Sequence, residues 1–169
     1  MTVTLLDLLA KGADTAPALS APDRQTLDFA GLRTLVGQTL ASLNAMGIGR
    51  NDRVAIVLAN GPEMAACYIA CASGVTSAPL NPGYRAEEFT FYLSDLNAKA
   101  LIVEQGSTSP AIEVAQQLGV RLIDLVTEAG QPAGSFMLVP RDGLDSTPTA
   151  QGGPAQLDDV SMVLHTSGT

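Results

Sequence analysis

Residues 52–60 have the sequence DRVAIVLAN, and the apolar run at its centre decides the fold class. The run from Val54 to Leu58 has no polar interruption, and Asp52 and Asn60 stand on either side of it. A strand that is apolar on both of its faces is typical of a parallel sheet covered on both sides. We therefore predict a central parallel strand here.

The chain before this strand has helical and extended patterns. Leucines at positions 5, 6, 8 and 9 predict a short amphipathic helix. Two short extended pieces are expected at Ala18–Ala21 and Thr26–Phe29, on either side of the turn signal Pro22–Asp23. Apolar residues at 32, 35, 36, 40, 43 and 46 then predict a helix that ends at Gly47.

After the central strand, helices and strands alternate. A helix is predicted from Pro62 to Gly74, followed by a strand in TSAPLNP (76–82) and a helix in RAEEFTFYLSDLNA (85–98). The next predicted elements are a strand in KALIVE (99–104), a helix in SPAIEVAQQLG (109–119) and a strand in VRLIDL (120–125). This alternation predicts an α/β fold with a mostly parallel sheet and helices on both faces.

The remaining residues, 127–169, divide into a loop-rich part and a final apolar part. Residues 127–157 are rich in Gly, Pro and Ser, which indicates a long loop or a weakly structured connection. DDVSMVLH (158–165) predicts another strand, so we expect residues 160–169 to be a strand followed by the loop TSGT. We predict one domain over residues 1–169.

Composition excludes several classes of function. The formal net charge is −8, and the nine Lys and Arg residues are scattered, so we do not expect a nucleic-acid or membrane surface. The N-terminus lacks a signal-peptide pattern and no apolar stretch is long enough to span a membrane, which predicts a cytoplasmic protein. Cys67 and Cys71 are spaced for one helix face, and we expect both to be reduced and buried.

The loop TSGT (Thr166–Thr169) has residue types that can bind phosphate groups. Ser and Thr hydroxyls donate hydrogen bonds, and Gly allows the backbone to approach a ligand closely. Such a loop can direct N–H and O–H groups at phosphate oxygens, although the same four residues can also form an ordinary polar turn. A lysine of the Walker pattern is absent here.

VSMVLHTSGT (160–169) resembles the start of the phosphate loop of the adenylate-forming enzymes, a superfamily that includes the acyl-CoA synthetases. The segments TLDFAGLRTLVGQTLASLNAMGIGRNDRVAIVLANGPEM (26–64) and YIACASGVTSAPLNPGYRAEEFTFYLSDLNAKALIV (68–103) resemble the same superfamily in the same order. Within it, APLNPGYRAEEFTFYLSD (78–95) and the histidine of LHTSGT are most similar to the oxalate–CoA ligase branch.

This resemblance implies an ATP-dependent carboxylate–CoA ligase that uses Mg²⁺ and coenzyme A. It implies that Thr166, Ser167, Gly168 and Thr169 hold the β- and γ-phosphates of ATP. The pattern of the family continues with the rest of the loop, the acyl pocket and a C-terminal domain carrying a catalytic lysine. These 169 residues would then be its N-terminal part, cut at the phosphate loop, and we expect them to be inactive alone.

Two further questions stay open at the level of sequence. His165 either lines the nucleotide or acyl site or forms a hydrogen bond in the core at the end of a strand. The alternative function is a freestanding acidic α/β domain that binds a partner without catalysis. A dinucleotide-binding domain is disfavoured because ANGPEM (59–64) follows the first long strand in place of G-x-G-x-x-G.

Overall fold

A computed structural model describes residues 3–143 and 147–165 of the chain. Its helices are α1 Leu5–Leu9, α2 Phe29–Ala45, α3 Pro62–Ala72, α4 Ala86–Asp95 and α5 Pro110–Gln117. Its strands are β1 Pro17–Leu19, β2 Leu27–Asp28, β3 Arg53–Val57, β4 Thr76–Pro79, β5 Ala100–Glu104, β6 Arg121–Val126 and β7 Met137–Pro140.

Five of these strands form the main sheet, in the order β4-β3-β5-β6-β7. The first four are parallel, and β7 pairs antiparallel with β6 at one edge. Strand β3 lies between β4 and β5, as expected of a strand with apolar residues on both faces. Strands β1 and β2 form a separate antiparallel pair.

Helices cover both faces of the sheet, and the alternation of side chains along β3 shows how. Val54 and Ile56 pack with residues of α2 and α3 in one apolar cluster. Ala55 and Val57 pack with residues of α4 and α5 in a second cluster on the opposite face. The predicted α/β fold with a mostly parallel sheet and helices on both faces is therefore confirmed.

The cysteines belong to the buried face of α3. Cys67 and Cys71 are free thiols, and neither is exposed. A hydrogen bond between the two thiols raises the pKa of Cys67 well above its ordinary value, and burial acts in the same direction. The expectation of two reduced and buried cysteines is thus confirmed, and these thiols serve as small apolar groups.

Two predictions for the region after residue 126 were wrong in part. The connection 127–157 contains a strand, β7, in which Leu138 is buried while Met137 and Val139 are exposed. The segment predicted as a strand at 158–165 makes only one bridge, in which Met162 pairs parallel with Ser77 of β4. This segment therefore meets β4 without forming a strand of the sheet.

Residues 147–157, which we call the strap, lie against the turns that precede β3 and β4. Asn44 of α2 holds the strap because its Oδ1 accepts from Gly153 N–H at 2.7 Å and its carbonyl accepts from Thr149 N–H at 3.0 Å. Gly49 allows this approach, since a Cβ there would lie 2.5 Å from the carbonyl oxygen of Gln151. The strap therefore brings the chain back to the β4 edge of the sheet.

Candidate functional site

The segment 160–163 is held on β4 by three hydrogen bonds. Ser77 N–H donates to Ser161 O, and Val163 N–H donates to Ser77 O, both at 3.0 Å. The Thr76 hydroxyl donates to Val160 O at 2.6 Å. These contacts fix the direction in which the chain approaches His165.

His165 lies beside α4, and one of its ring nitrogens is paired. Nε2 is 3.0 Å from Asp95 Oδ2, and the ring centroid is 4.7 Å from that of Tyr92. An ionised carboxylate can only accept a hydrogen bond, so Nε2 carries the proton and donates it to Asp95. The His165 side chain is only 16% exposed, although Asp95 itself is 60% exposed.

The other ring nitrogen of His165 has no partner among the described residues. Nδ1 is buried and makes no hydrogen bond within residues 3–143 and 147–165. A buried polar atom without a partner is uncommon and calls for an explanation. Among the described residues, His165 therefore has one ring nitrogen paired with Asp95 and one without a partner, and its role in ligand binding stays a prediction.

The aromatic ring that contacts this histidine, Tyr92, is itself packed against other aromatic side chains. Tyr92 stacks on Tyr84 with ring centroids 4.9 Å apart, and Tyr84 contacts Phe89 edge-on at 5.9 Å. Hydrogen bonding with Tyr92 raises the pKa of the Tyr84 hydroxyl above its ordinary value of 10.0, and partial burial and Glu88 act in the same direction. Tyr84 is therefore neutral at physiological pH, and its ring supports that of Tyr92.

The predicted phosphate-loop residues Thr166, Ser167, Gly168 and Thr169 lie outside the described residues, so their role stays a prediction. Of the predicted site residues, only His165 is described. Sequence reasoning did not identify Asp95 or Tyr92 as neighbours of His165. Their spacing of three places them on one helix face, but the sequence carries no signal that a segment 70 residues later returns to that face.

A cavity lies elsewhere, at the carboxyl ends of β3, β5 and β6. Its volume is about 780 Å³, and its lining includes Leu58–Glu63, Glu104 and Thr127–Gln131. Strands β4 and β5 lie on opposite sides of β3, so this cavity is at a topological switch point, where α/β sheets often bind ligands. His165 does not line it.

Charge in this cavity is mainly negative. Asp23, Glu104 and Glu128 contribute carboxylates, while the guanidinium of Arg24 is 2.5 Å from Glu63. Burial would raise the pKa of Glu63, but hydrogen bonds from Arg24 and from the backbone N–H groups of Glu63 and Gly134 outweigh it and lower the pKa below 4.5. A cavity of this charge is unfavourable for the phosphates of ATP.

The described part of the chain has neither a metal-binding cluster nor a membrane-spanning helix. Residues 3–143 and 147–165 contain no group of three His, Cys, Asp or Glu side chains placed to hold a metal ion. Within the same residues, no helix combines the length and the apolarity that crossing a membrane requires.

Known proteins with similar sequences include several that are described as CoA ligases. An oxalate–CoA ligase of Arabidopsis thaliana is 35% identical over 168 residues, which are 98% of this chain and 32% of that protein. An oxalate–CoA ligase of Saccharomyces cerevisiae is 33% identical over 140 residues, covering 71% of this chain and 26% of that protein. The chain thus spans about a third of the length of the curated relatives it matches.

The fold has solved relatives as well. The crystal structure of apo MatB from Rhodopseudomonas palustris superposes with a TM-score of 0.73 at 21% identity, covering 100% of this chain and 33% of MatB. The sequence profile of the family described as AMP-binding enzyme matches residues 8–169. Since this match includes nearly the whole chain, the chain belongs to the AMP-binding enzyme family.

Proposed function

We propose that this chain is the N-terminal part of an ATP-dependent carboxylate–CoA ligase. The observation that carries the proposal is the family match over residues 8–169, together with 35% identity to an oxalate–CoA ligase over nearly the whole chain. The descriptions of these relatives supply the reaction class, and the fold likeness to MatB is consistent with it.

The proposed reaction has two steps. A carboxylate oxygen attacks the α-phosphorus of ATP, the bond to pyrophosphate breaks, and an acyl-adenylate forms. The thiolate sulfur of coenzyme A then attacks the acyl carbon, and AMP leaves. Negative charge builds on the phosphates in the first step, so donors aimed at those oxygens, and Mg²⁺, lower its barrier.

In this proposal the residues Thr166, Ser167 and Thr169 donate hydroxyl hydrogen bonds to the β- and γ-phosphates, and Gly168 allows the close approach. His165 immediately precedes them and belongs to the same site. Mg²⁺ would be held mainly by the phosphates of ATP, because magnesium in such sites is usually bound by substrate phosphates and a small number of carboxylates.

Oxalate is the carboxylate we propose as substrate, because two relatives more than 30% identical to this chain are described as oxalate–CoA ligases. Another relative, 27% identical, is described as a 3-hydroxybenzoate–CoA ligase, which makes aromatic acids a useful comparison. We place the protein in the cytoplasm, where ATP and coenzyme A are available.

The test is pyrophosphate exchange into ATP by the protein produced from the complete reading frame. Oxalate, malonate, hexanoate and 3-hydroxybenzoate are supplied separately with Mg²⁺, and thioester formation with coenzyme A is followed by mass spectrometry. We expect exchange that depends on one of these acids, with oxalate the most active. Exchange with none of them would overturn the ligase proposal, and exchange with another acid would overturn oxalate alone.

A matched pair of variants tests the phosphate-binding assignment. Ser167→Ala removes a hydroxyl from the proposed loop, whereas Ser161→Ala removes one from the exposed segment beside β4. We expect the Michaelis constant for ATP to rise roughly tenfold in the first variant and to stay unchanged in the second. Equal constants in the two variants would contradict the assignment.

A further inference from the structure

His165 is held in a way that leaves one specific atom for a ligand. Its Nε2 is bound to Asp95 at 3.0 Å, and its ring packs against Tyr92. Its Nδ1 is buried without a hydrogen-bond partner among the described residues. A buried polar atom without a hydrogen bond raises the free energy of the folded state. A ligand that supplies the missing hydrogen bond removes this cost, which favours binding.

The ring has little freedom to move Nδ1 elsewhere. Residues 161 and 163 are hydrogen-bonded to Ser77 on β4, which fixes the backbone two residues before His165. Tyr92 limits rotation of the ring on one side, and Tyr92 is itself stacked on Tyr84. The orientation of Nδ1 is therefore set by β4 and α4 together, before any ligand is present.

We propose that Nδ1 of His165 binds an anionic oxygen of a substrate of the ligase reaction, and that Asp95 is the positioning residue that orients it. This inference rests on the proposed function. The Asp95 carboxylate accepts from Nε2–H and fixes the ring, and Nδ1–H of the imidazolium form donates to the anionic oxygen. Two sources could supply that oxygen, a phosphate of ATP and a carboxylate of the acyl substrate.

Two isosteric substitutions separate ligand binding from a purely structural role. The side-chain amide of Asn occupies nearly the place of Nδ1, whereas that of Gln extends to the place of Nε2. If Nδ1 binds the ligand, His165→Asn keeps that contact and His165→Gln loses it. If His165 serves only to join the chain to Asp95, the order is reversed, because only Gln reaches Asp95.

The experiment measures steady-state kinetics of both variants in the protein produced from the complete reading frame. We expect the Michaelis constant for one substrate to rise roughly tenfold in His165→Gln and by less than about threefold in His165→Asn. A rise for ATP identifies a phosphate oxygen, and a rise for the acid identifies a carboxylate oxygen. A Gln variant that equals or exceeds the Asn variant would overturn the inference.

Asp95 is tested in the same assay, with its conservative variant as the control. Asp95→Asn keeps an oxygen acceptor for Nε2–H, whereas Asp95→Ala removes it. We expect Asp95→Ala to raise the same Michaelis constant as His165→Gln, and Asp95→Asn to restore most of the affinity. In the His165→Asn background Asp95→Ala should have no further effect, because Asn does not reach Asp95. Independent, additive effects would overturn the positioning role.

Binding is also measured without turnover, so that this inference and the ligase proposal can fail separately. The ring signal of His165 in a ¹³C-histidine-labelled sample is assigned by its loss in His165→Asn, and pyrophosphate, ATP and oxalate are then added singly. A saturable shift with at least one anion, absent in Asp95→Ala, supports the inference even if no acid supports exchange. A signal unmoved by all three anions overturns it even if the protein is an active ligase.

Discussion

At the scale of single residues, two glycines illustrate separate reasons for the absence of a Cβ: a positive φ angle and a lack of space. Gly134 and Gly106 both have positive φ angles, of 86° and 80°. A Cβ at Gly134 would lie 3.0 Å from Pro62 O and 2.8 Å from a methyl carbon of Leu19. A Cβ at Gly106 would enter open space. Alanine is therefore strained at both positions and is obstructed at only one of them.

This difference predicts the relative stability of two alanine variants. Gly106→Ala should cost about 1–2 kcal/mol, the usual cost of the left-handed region for a residue with a Cβ. Gly134→Ala should cost a further 1–3 kcal/mol, because the backbone carbonyl of Pro62 cannot move aside as a flexible side chain could. Urea unfolding followed by circular dichroism measures both free energies. Equal costs would show that the segment around Gly134 adapts freely.

At the scale of secondary-structure elements, long periodic patterns were sufficient to predict most of the fold. The apolar run of β3 and the helical spacing of α2 and α4 required no knowledge of their neighbours, because each pattern reflects burial of the element itself. Strand β7 was missed because its residues, MLVP, are few and alternate only once, and its pairing depends on β6. Short edge strands of this kind are defined by their partners.

The site was less predictable than the fold, for a related reason. His165 was identified from its place before TSGT, but Asp95 and Tyr92 contact it only because the chain returns along β4 to reach α4. That contact depends on the strap and on the bridge between Ser77 and Met162. No local sequence pattern predicts a contact between residues 70 positions apart in the chain.

Helix α4 offers a test of the periodicity on which the fold prediction depended. Leu93 is 1% exposed and faces the second apolar cluster, whereas Phe91 on the same helix is 60% exposed. Leu93→Ala should cost about 2–5 kcal/mol of unfolding free energy, as for other buried leucines. Phe91→Ala should cost less than about 1 kcal/mol although it removes a larger side chain. A greater loss for Phe91→Ala in urea unfolding would contradict the assigned helix face.

At the scale of the whole molecule, Glu63 connects three distant parts of the chain. Its carboxylate is paired with Arg24 from the β1–β2 turn and accepts from Gly134 N–H, which follows β6. These hydrogen bonds lower its pKa despite the opposing effect of burial. The folded state therefore releases this proton at a lower pH than the unfolded state does.

The sign of this shift predicts a pH-dependent contribution to stability. The stabilisation is fully present above the ordinary pKa of 4.5 and is lost as the pH falls through the lowered value in the folded state. Glu63→Gln should therefore be less stable than the wild type at pH 7, and the difference should shrink below pH 4.5. Urea unfolding at a series of pH values measures it. A difference that does not change with pH would contradict the linkage.

The control for this series is Glu104→Gln. Glu104 lines the same cavity, and its carboxylate is exposed and makes no hydrogen bond or ion pair with the described residues. Its replacement should change the unfolding free energy by less than about 0.5 kcal/mol at every pH tested.

The strap also bears on the order in which the molecule assembles. The strap joins Asn44 to Gly153, which are 109 residues apart in sequence, and contacts over such separations carry a loop-closure entropy that slows their formation. All five strands of the main sheet precede Thr147, so a nascent chain can complete that sheet while the strap is still in the ribosome. The strap then closes over an edge that already exists. His165 thus reaches Asp95 only after the scaffold that orients it has formed.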